Sequence, residues 1–461
     1  MDLEEKDLIS ELPDSLIHHI LSFLPTKCVV PTTVLSKRWK NLWLQVPTLD
    51  FSHSDDEEDS DDEEETNRFM DSVDRVLFLR NMSHMHKFSL TYKSDSRYLD
   101  NNRAKEWIAT AVKCNVEEII LSMSYPEDTL VTLPVGLFTS ESLTKLEIDF
   151  EDNYSYCMLD LPHSISFPRH KILRISGIDF QDEVLVRQLF SSCPLLEDLC
   201  LTDCDFCHIN LISISAPKLK SFTLTGGMPM VSVGLKIDAP NLESIKTLFN
   251  FDSNRLDGDW LPVDFVVDNF PSLVHVDLCF RGFFRSSDDF HTLSKFIMRL
   301  SNVQRLHLSS DYSRQEIKRL INILSTSLPT FENLIHLETE FTRAYTLLKF
   351  LQFTPNLESL TIVRRRCVNI DTEDSSASYL VPRCLLLHLR TIKVRKFEGL
   401  QEEVKLVKCF LKNGRTLQVL LIESAITSKS VAELEKKNQI MELLLKYPKA
   451  STNCMVKILS S

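Results

Sequence analysis

Residues 193–204 read CPLLEDLCLTDC, and the hexamer LEDLCL inside it (196–201) places apolar side chains at its first, fourth and sixth positions. The same spacing returns as LTKLEI from Leu143, LKSFTL from Leu219, LVHVDL from Leu273 and VQRLHL from Val303. It returns again as LESLTI from Leu357, LRTIKV from Leu389 and LQVLLI from Leu417, with weaker copies from Met85, Val116, His170, Leu242 and Leu334. Alternation at the end of each hexamer is the signature of a short strand with one buried face. A strand this short cannot cover its own apolar face, so the copies must stack on one another.

From residue 116 onward the copies start 23 to 32 residues apart, within and slightly above the window of about 20–29 residues for leucine-rich repeats. The expected fold is α/β, an irregular leucine-rich-repeat solenoid with a curved parallel sheet whose x positions point outward and make a concave face. DEVLVRQLFSSCP (182–194) and LSKFIMRL (293–300) read as helices between strands. The 23-residue spacings leave room for little more than loops.

Composition removes several function classes. The formal charge is −13, but ten carboxylates lie between Asp55 and Glu65, so the rest of the chain carries about −3. A near-neutral body is a poor nucleic-acid binder, because that affinity rests on cations neutralising phosphates, and no nucleic acid is expected. There are nine glycines and no phosphate-cradling loop or nucleophile elbow among them, since those motifs need closely spaced glycine. Adjacent acids such as Glu117-Glu118 read as exposed strand positions, and no catalytic residue or cofactor is expected. The start, MDLEEKDLIS, is acidic and polar, unlike a signal peptide. No apolar run approaches the roughly 20 residues of a membrane span, so no membrane partner is expected. Twelve scattered cysteines read as reduced thiols, giving a cytoplasmic or nuclear expectation.

CDFCH (204–208) spells a haem-attachment motif, but in the repeat register Cys204 closes the turn after its strand. A structural turn is the expectation there, with zinc on Cys193, Cys200, Cys204, Cys207 or His208 as the alternative, and no metal site is assigned. Residues 52–66, SHSDDEEDSDDEEET, read as a self-repelling linker. Within it Ser54 and Ser60, each followed by acids, are the expected phosphorylation sites. RRR at 364–366 reads as exposed loop basics.

The N-terminal fifty residues differ in kind. PDSLIHHILSFL (13–24) sets Leu16, Ile17, Ile20, Leu21 and Leu24 on one helical face, with Pro13 in the first turn and Pro25 as the stop. His18 and His19 fall on its polar face. Ser36 suits the N-cap of KRWKNLW, where Trp39, Leu42 and Trp43 share a face and read as core residues.

The stretch LISELPDSLIHHILSFLPTKCVVPTTVLSKRWKNLW closely resembles the F-box of plant F-box proteins, over residues 7 to about 50. The matching motifs are Leu12-Pro13, Leu16, Ile20-Leu21, Phe23-Leu24-Pro25-Thr26-Lys27 and Val34-Leu35-Ser36-Lys37-Arg38-Trp39. CPLLEDLCLTDC is similar to the repeats of that family, and 380–422 with 443–459 resembles its FBD domain. The resemblance implies an F-box at 1–50, an acidic disordered linker at 51–68, leucine-rich repeats at 69–375 and an FBD-like segment at 376–461 that continues and caps them.

It further implies a non-catalytic substrate receptor of an SCF-type cullin–RING ubiquitin ligase. The F-box would dock an SKP-type adaptor, and through it cullin and RING subunits, while the repeats hold a protein for ubiquitination. Leu12, Pro13, Leu16, Ile17, Ile20, Leu21 and Leu24 exceed what so small a unit buries, so they are the expected adaptor site. Outward residues of the central strands, Glu197, Asp198, Cys200, Arg305 and His307, are the expected target site. Cys28 replaces a frequent acid and Pro31 falls early in the second helix. These departures motivate the alternative, a non-ligase repeat scaffold with a degenerate F-box.

Overall fold

The structure is a computed structural model. It describes residues 12–54, 63–80, 84–93, 99–126, 129–150, 156–226, 234–250, 265–267, 270–281, 296–310, 329–341, 344–364, 380–424 and 431–460. The chain forms two compact units, Met1–Met228 with Ile237–Ala239, and Pro229–Lys236 with Pro240–Ser461.

The first unit opens with short helices. α1 (Asp14–Leu21) is followed by α2 (Thr26–Val29), which tightens into a 3-10 turn over Val30–Val34. Pro31 has no N–H to offer the turn before it, and the helix changes type where that donor is missing. α3 (Trp39–Leu42) then runs into a second 3-10 turn, Trp43–Gln45. Trp39, Leu42 and Trp43 are buried with Ile17 and Leu21, so the tryptophans are core residues, as expected.

The helices join the sheet without a break. Among the described residues the strands of the first unit's ladder are β1 (Thr48–Ser54), β2 (Lys87–Lys93), β3 (Glu118–Met123), β4 (Lys145–Asp149), β5 (Ile172–Ser176), β6 (Asp198–Thr202) and β7 (Ser221–Thr225). They pair in sequence order, all parallel and in register. The Asp50 amide donates to Thr26 Oγ1 at 2.8 Å, and Thr48 Oγ1 donates to the Ser22 carbonyl at 3.0 Å, fixing β1 against the F-box-like helices. Val46, Leu49 and Phe51 are buried, which makes VPTLDF (46–51) a further copy of the repeat template.

The segment expected to be a disordered linker, 51–68, carries structure at both ends. Residues 51–54 finish β1, and α4 (Glu63–Arg80) begins with three glutamates. Carboxylates are favoured where a helix presents free N–H groups, so the last acids of the run start a helix. Further along α4, Thr66, Met70, Val73 and Val76 supply a buried face. At its end the Arg80 guanidinium, itself buried, donates to the carbonyls of Val46 (2.6 Å) and His84 (3.3 Å). Residues 55–62, including Ser60, lie outside the described set.

The template slots predict burial well. Leu143, Leu146 and Ile148 are buried, as are Leu196, Leu199 and Leu201. α5 (Asn101–Lys113) and α6 (Glu183–Ser191) connect strands, each capped by an aspartate. Asp182 accepts from the amides of Val184 (2.7 Å) and Leu185 (3.1 Å). The 23-residue repeat after β6 holds a short strand, Leu211–Ser215, where a loop was expected. After β5, β6 and β7 the chain turns through positive φ at Gly177 (74°), Asp203 (47°) and Gly226 (73°).

The second unit repeats the plan. Its ladder runs β8 (Ser244–Asn250), β9 (His275–Arg281), β10 (Arg305–Ser310), β11 (His336–Phe341), β12 (Ser359–Arg364), β13 (Thr391–Phe397), β14 (Val419–Ser424) and β15 (Met455–Ser460), again parallel between neighbours. The FBD-like stretch supplies β13 and β14 with α7 (Gln401–Asn413) between them, so it continues the ladder. The buried Glu403 carboxylate accepts from the Leu400 amide at 2.8 Å and the Glu398 amide at 3.2 Å, satisfying donors at the start of α7.

Candidate functional site

Helix α1 carries two adjacent apolar stripes with opposite fates. Ile17 and Leu21 are 0% and 2% exposed and lie in the core, whereas Leu16 and Ile20 are each 49% exposed. The expectation that all seven F-box residues form the adaptor site is corrected here for Ile17 and Leu21, which the fold itself consumes. Pro13 and Leu24 are exposed and Leu12 is half-buried, so five of the seven remain available.

Three residues outside that set join them. Phe23, Val34 and Leu35 are exposed at 74%, 85% and 62%. Phe23, Val34 and Leu35 sat in the motifs quoted above, but periodicity along α1 alone did not point to them. Arg38 Nε donates to Asp14 Oδ1 at 2.9 Å and its Nη2 donates to the Leu12 carbonyl at 2.5 Å. This clamp holds the segment after Val34 and Leu35 beside the start of α1. Arg38 is therefore a positioning residue. Large apolar groups left in water on a polar-rimmed surface mark an interface.

The outward positions of the sheets are charged and mutually paired. In the first unit Arg174 bridges Glu147 (2.9 Å) and Asp198 (2.8 Å) across three neighbouring strands. Hydrogen bonding to Asp198, followed by the surrounding carboxylates, holds its guanidinium above the usual range. Glu197 pairs with Lys220 at 2.7 Å, and Cys200 Sγ lies 3.4 Å from Thr202 Oγ1. Asp149 takes Lys93 at 3.5 Å and the Ser122 hydroxyl at 3.0 Å.

In the second unit the register sets Asp277, His307 and Glu338 side by side on β9, β10 and β11. His307 Nδ1 lies 2.8 Å from Asp277 Oδ1, and this hydrogen bond raises the imidazole above its ordinary value despite partial burial. His275, Arg305 and His336 form the next row and are all exposed. Burial first, and then the Arg305 charge, lowers His336. Arg395 links Glu338 (2.7 Å) to Glu423 (3.7 Å), and Lys393 also pairs with Glu423.

All five expected target residues thus occur on or beside outward strand positions. Glu197, Asp198 and Cys200 belong to the first unit, and Arg305 and His307 to the second. Arg174, Glu147, Asp277 and Glu338 were missed; each is an x residue of a template, but only the register reveals its charged neighbours. Of the phosphorylation candidates Ser54 ends β1, and Arg364 of the RRR run ends β12, while 365–366 lie outside the described residues. Cys193 and Cys204 are buried, and desolvation pushes both thiols up to about 12.

A helical module with a surplus apolar face, followed by leucine-rich repeats, defines the F-box repeat class. Comparison with known proteins agrees across the chain. Residues 9–50 match the F-box domain, residues 104–258 match the family described as FBD-associated F-box protein At5g56370, LRR repeats, and residues 380–422 match FBD. The F-box/LRR-repeat protein At4g14096 of Arabidopsis thaliana is 31% identical, over 100% of this chain and 96% of its own length. Putative F-box/FBD/LRR-repeat protein At5g44950 of the same plant is 30% identical, over 98% of this chain and 100% of its own. The chain belongs to the plant F-box/FBD/LRR-repeat family. F-box domains generally bind SKP-type adaptors, and F-box/LRR proteins are typically non-catalytic adaptors.

Proposed function

We propose that this chain is the substrate-recognition subunit of an SCF-type cullin–RING ubiquitin ligase, in the cytoplasm or nucleus. The observation that carries this reading is the set Leu16, Ile20, Phe23, Leu24, Val34 and Leu35, exposed on and between helices whose core is already complete without them. Burying such side chains against a partner gains roughly 1.5–3 kcal/mol each, before the cost of association. Neither family departure breaks the helical run: Cys28 is exposed, and at Pro31 the helix tightens from α to 3-10 and continues to Val34. This favours an active F-box over a degenerate one.

The outward charges are the target-binding part of the proposal. The sheet positions of Glu147, Arg174 and Asp198 in the first unit, and of Asp277, Arg305 and His307 in the second, form chequered rows of both signs. Such patterns select partners by charge complementarity more than by bulk affinity. The chain itself needs no catalytic group, because ubiquitin transfer would be carried out by the other subunits. The test is affinity purification under proteasome inhibition, comparing wild type with Leu16→Glu/Ile20→Glu. The proposal expects ubiquitin-modified proteins to accumulate with wild type and not with the variant; equal modification in both would refute it.

A further inference from the structure

The loops after β5 and β6 are held together from several sides. The Asp205 amide donates to the Ile178 carbonyl at 2.8 Å, and the Phe180 amide returns to the Asp205 carbonyl at 3.0 Å, making a parallel bridge. Phe180 and Phe206 stack with ring centres 5.2 Å apart. Beyond them Glu183 Oε2 accepts from the Asn210 amide at 3.0 Å and from its side chain at 3.3 Å. Within this frame Asp179, Cys207 and His208 bring one carboxylate oxygen, one thiol sulfur and one imidazole nitrogen within 4.8 Å of one another.

We propose that Asp179, Cys207 and His208 form a binding site for a divalent transition cation of zinc's preferences. The donor set is mixed oxygen, sulfur and nitrogen, which suits zinc rather than magnesium or calcium. Supporting bonds already orient the ligands: Gln181 Nε2 donates to Asp179, and Asp205 Oδ1 accepts the Cys207 amide at 2.9 Å and fixes that turn. Fixed outer partners of this kind are what lets a loop site hold its geometry. Three protein ligands leave a fourth place, which water fills on the solvent side where His208 is exposed. Binding displaces the proton of the Cys207 thiol, so affinity falls as pH falls. The bound cation would staple two successive repeats at positions 179 and 207, alongside the existing backbone bridge.

Of the CDFCH stretch, the proposed site takes Cys207 and His208 and leaves out Cys204. Cys204 stays in the core and closes the turn, while Cys207 and His208 at the end of the motif lie beside Asp179 of the preceding repeat. The test uses the full-length, metal-stripped chain titrated with cobalt(II) alone and then with zinc(II). Expected are one bound equivalent, a thiolate-to-cobalt charge-transfer band that zinc displaces, and a higher melting temperature with zinc. Cys207→Ser should abolish the band. His208→Ala, made at an exposed side chain that the fold does not bury, should weaken binding at least about tenfold. Circular dichroism in metal-free buffer checks that both variants fold. Absence of the band at excess cobalt, or a band and affinity unchanged in both variants, would overturn the site.

Discussion

His170 fills the first inward slot of its repeat, a position held by Leu143 and Leu196 in the repeats on either side. It is wholly buried, and neither ring nitrogen makes a hydrogen bond of normal geometry. Desolvation pulls the imidazole down to about 4, although the nearby Leu143 carbonyl works the other way. Between the unfolded value of about 6.5 and the folded value, the unfolded chain binds the extra proton. Protonation of His170 therefore adds almost no penalty at neutral pH and withdraws up to about 3 kcal/mol of stability as pH falls through that window. Denaturant midpoints at pH 7 and pH 4.5 should differ less in His170→Leu than in wild type. His307 behaves oppositely, since Asp277 raises it and its contribution is present at low pH and fades as pH rises through its elevated value. Proton NMR of the histidine rings should show His307 titrating higher than His336, with Asp277→Asn removing the elevation. The two stripes of α1 give a third residue-scale contrast. Ile17→Ala should cost about 2–5 kcal/mol of stability, and Leu16→Ala no more than about 0.5 kcal/mol, by urea denaturation.

The left-handed turn that follows β5, β6 and β7 of the first unit is an element-scale constraint. At Gly226 a Cβ would lie 1.8 Å from Asp203 Oδ1, and its φ of +73° is left-handed. Gly226→Ala should destabilise by more than the roughly 1–2 kcal/mol of the backbone term alone. Adding Asp203→Gly should recover the side-chain part of the clash and leave both the 2.9 Å approach to the residue-203 amide and the backbone part, as thermal melts of the three variants would show. Much of the element plan was legible because the template slots carry the burial pattern, from Leu143 through Leu417. β1 was hidden by position: VPTLDF fits the template but stands against the acidic run, whose charge block reads as linker. α4 was hidden for a related reason, since Glu63–Glu65 look like the end of that block when they are the first turn of a helix. The surplus apolar face of α1 was legible as a composition, yet the same 3.6-residue period contains both Leu16–Ile20 and Ile17–Leu21. Only docking against α3 and the Trp43–Gln45 turn decides which stripe faces water. Charged partners such as Arg174 with Glu147 needed the strand register for the same reason.

At the scale of the whole molecule, two units each carry a parallel ladder of repeats, and the first of them opens with a helical module. The FBD stretch continues the second ladder through β13 and β14, so it shares the architecture of the repeats around it. Stability in such arrays is close to a sum of neighbour interfaces, which leaves the outward residues available for the proposed target binding. The helical end differs, because Leu16, Ile20, Phe23, Leu24, Val34 and Leu35 contribute little to the fold and so much exposed apolar area. Their proposed role in adaptor docking is the central claim. The most direct test is calorimetric titration of the purified full-length chain with an SKP-type adaptor, for wild type and Leu16→Glu/Ile20→Glu. The expected result is saturable binding by wild type and at least tenfold weaker binding, about 1.4 kcal/mol, by a variant with unchanged circular dichroism. Equal affinity in the two proteins, or no binding by folded wild type, would contradict it.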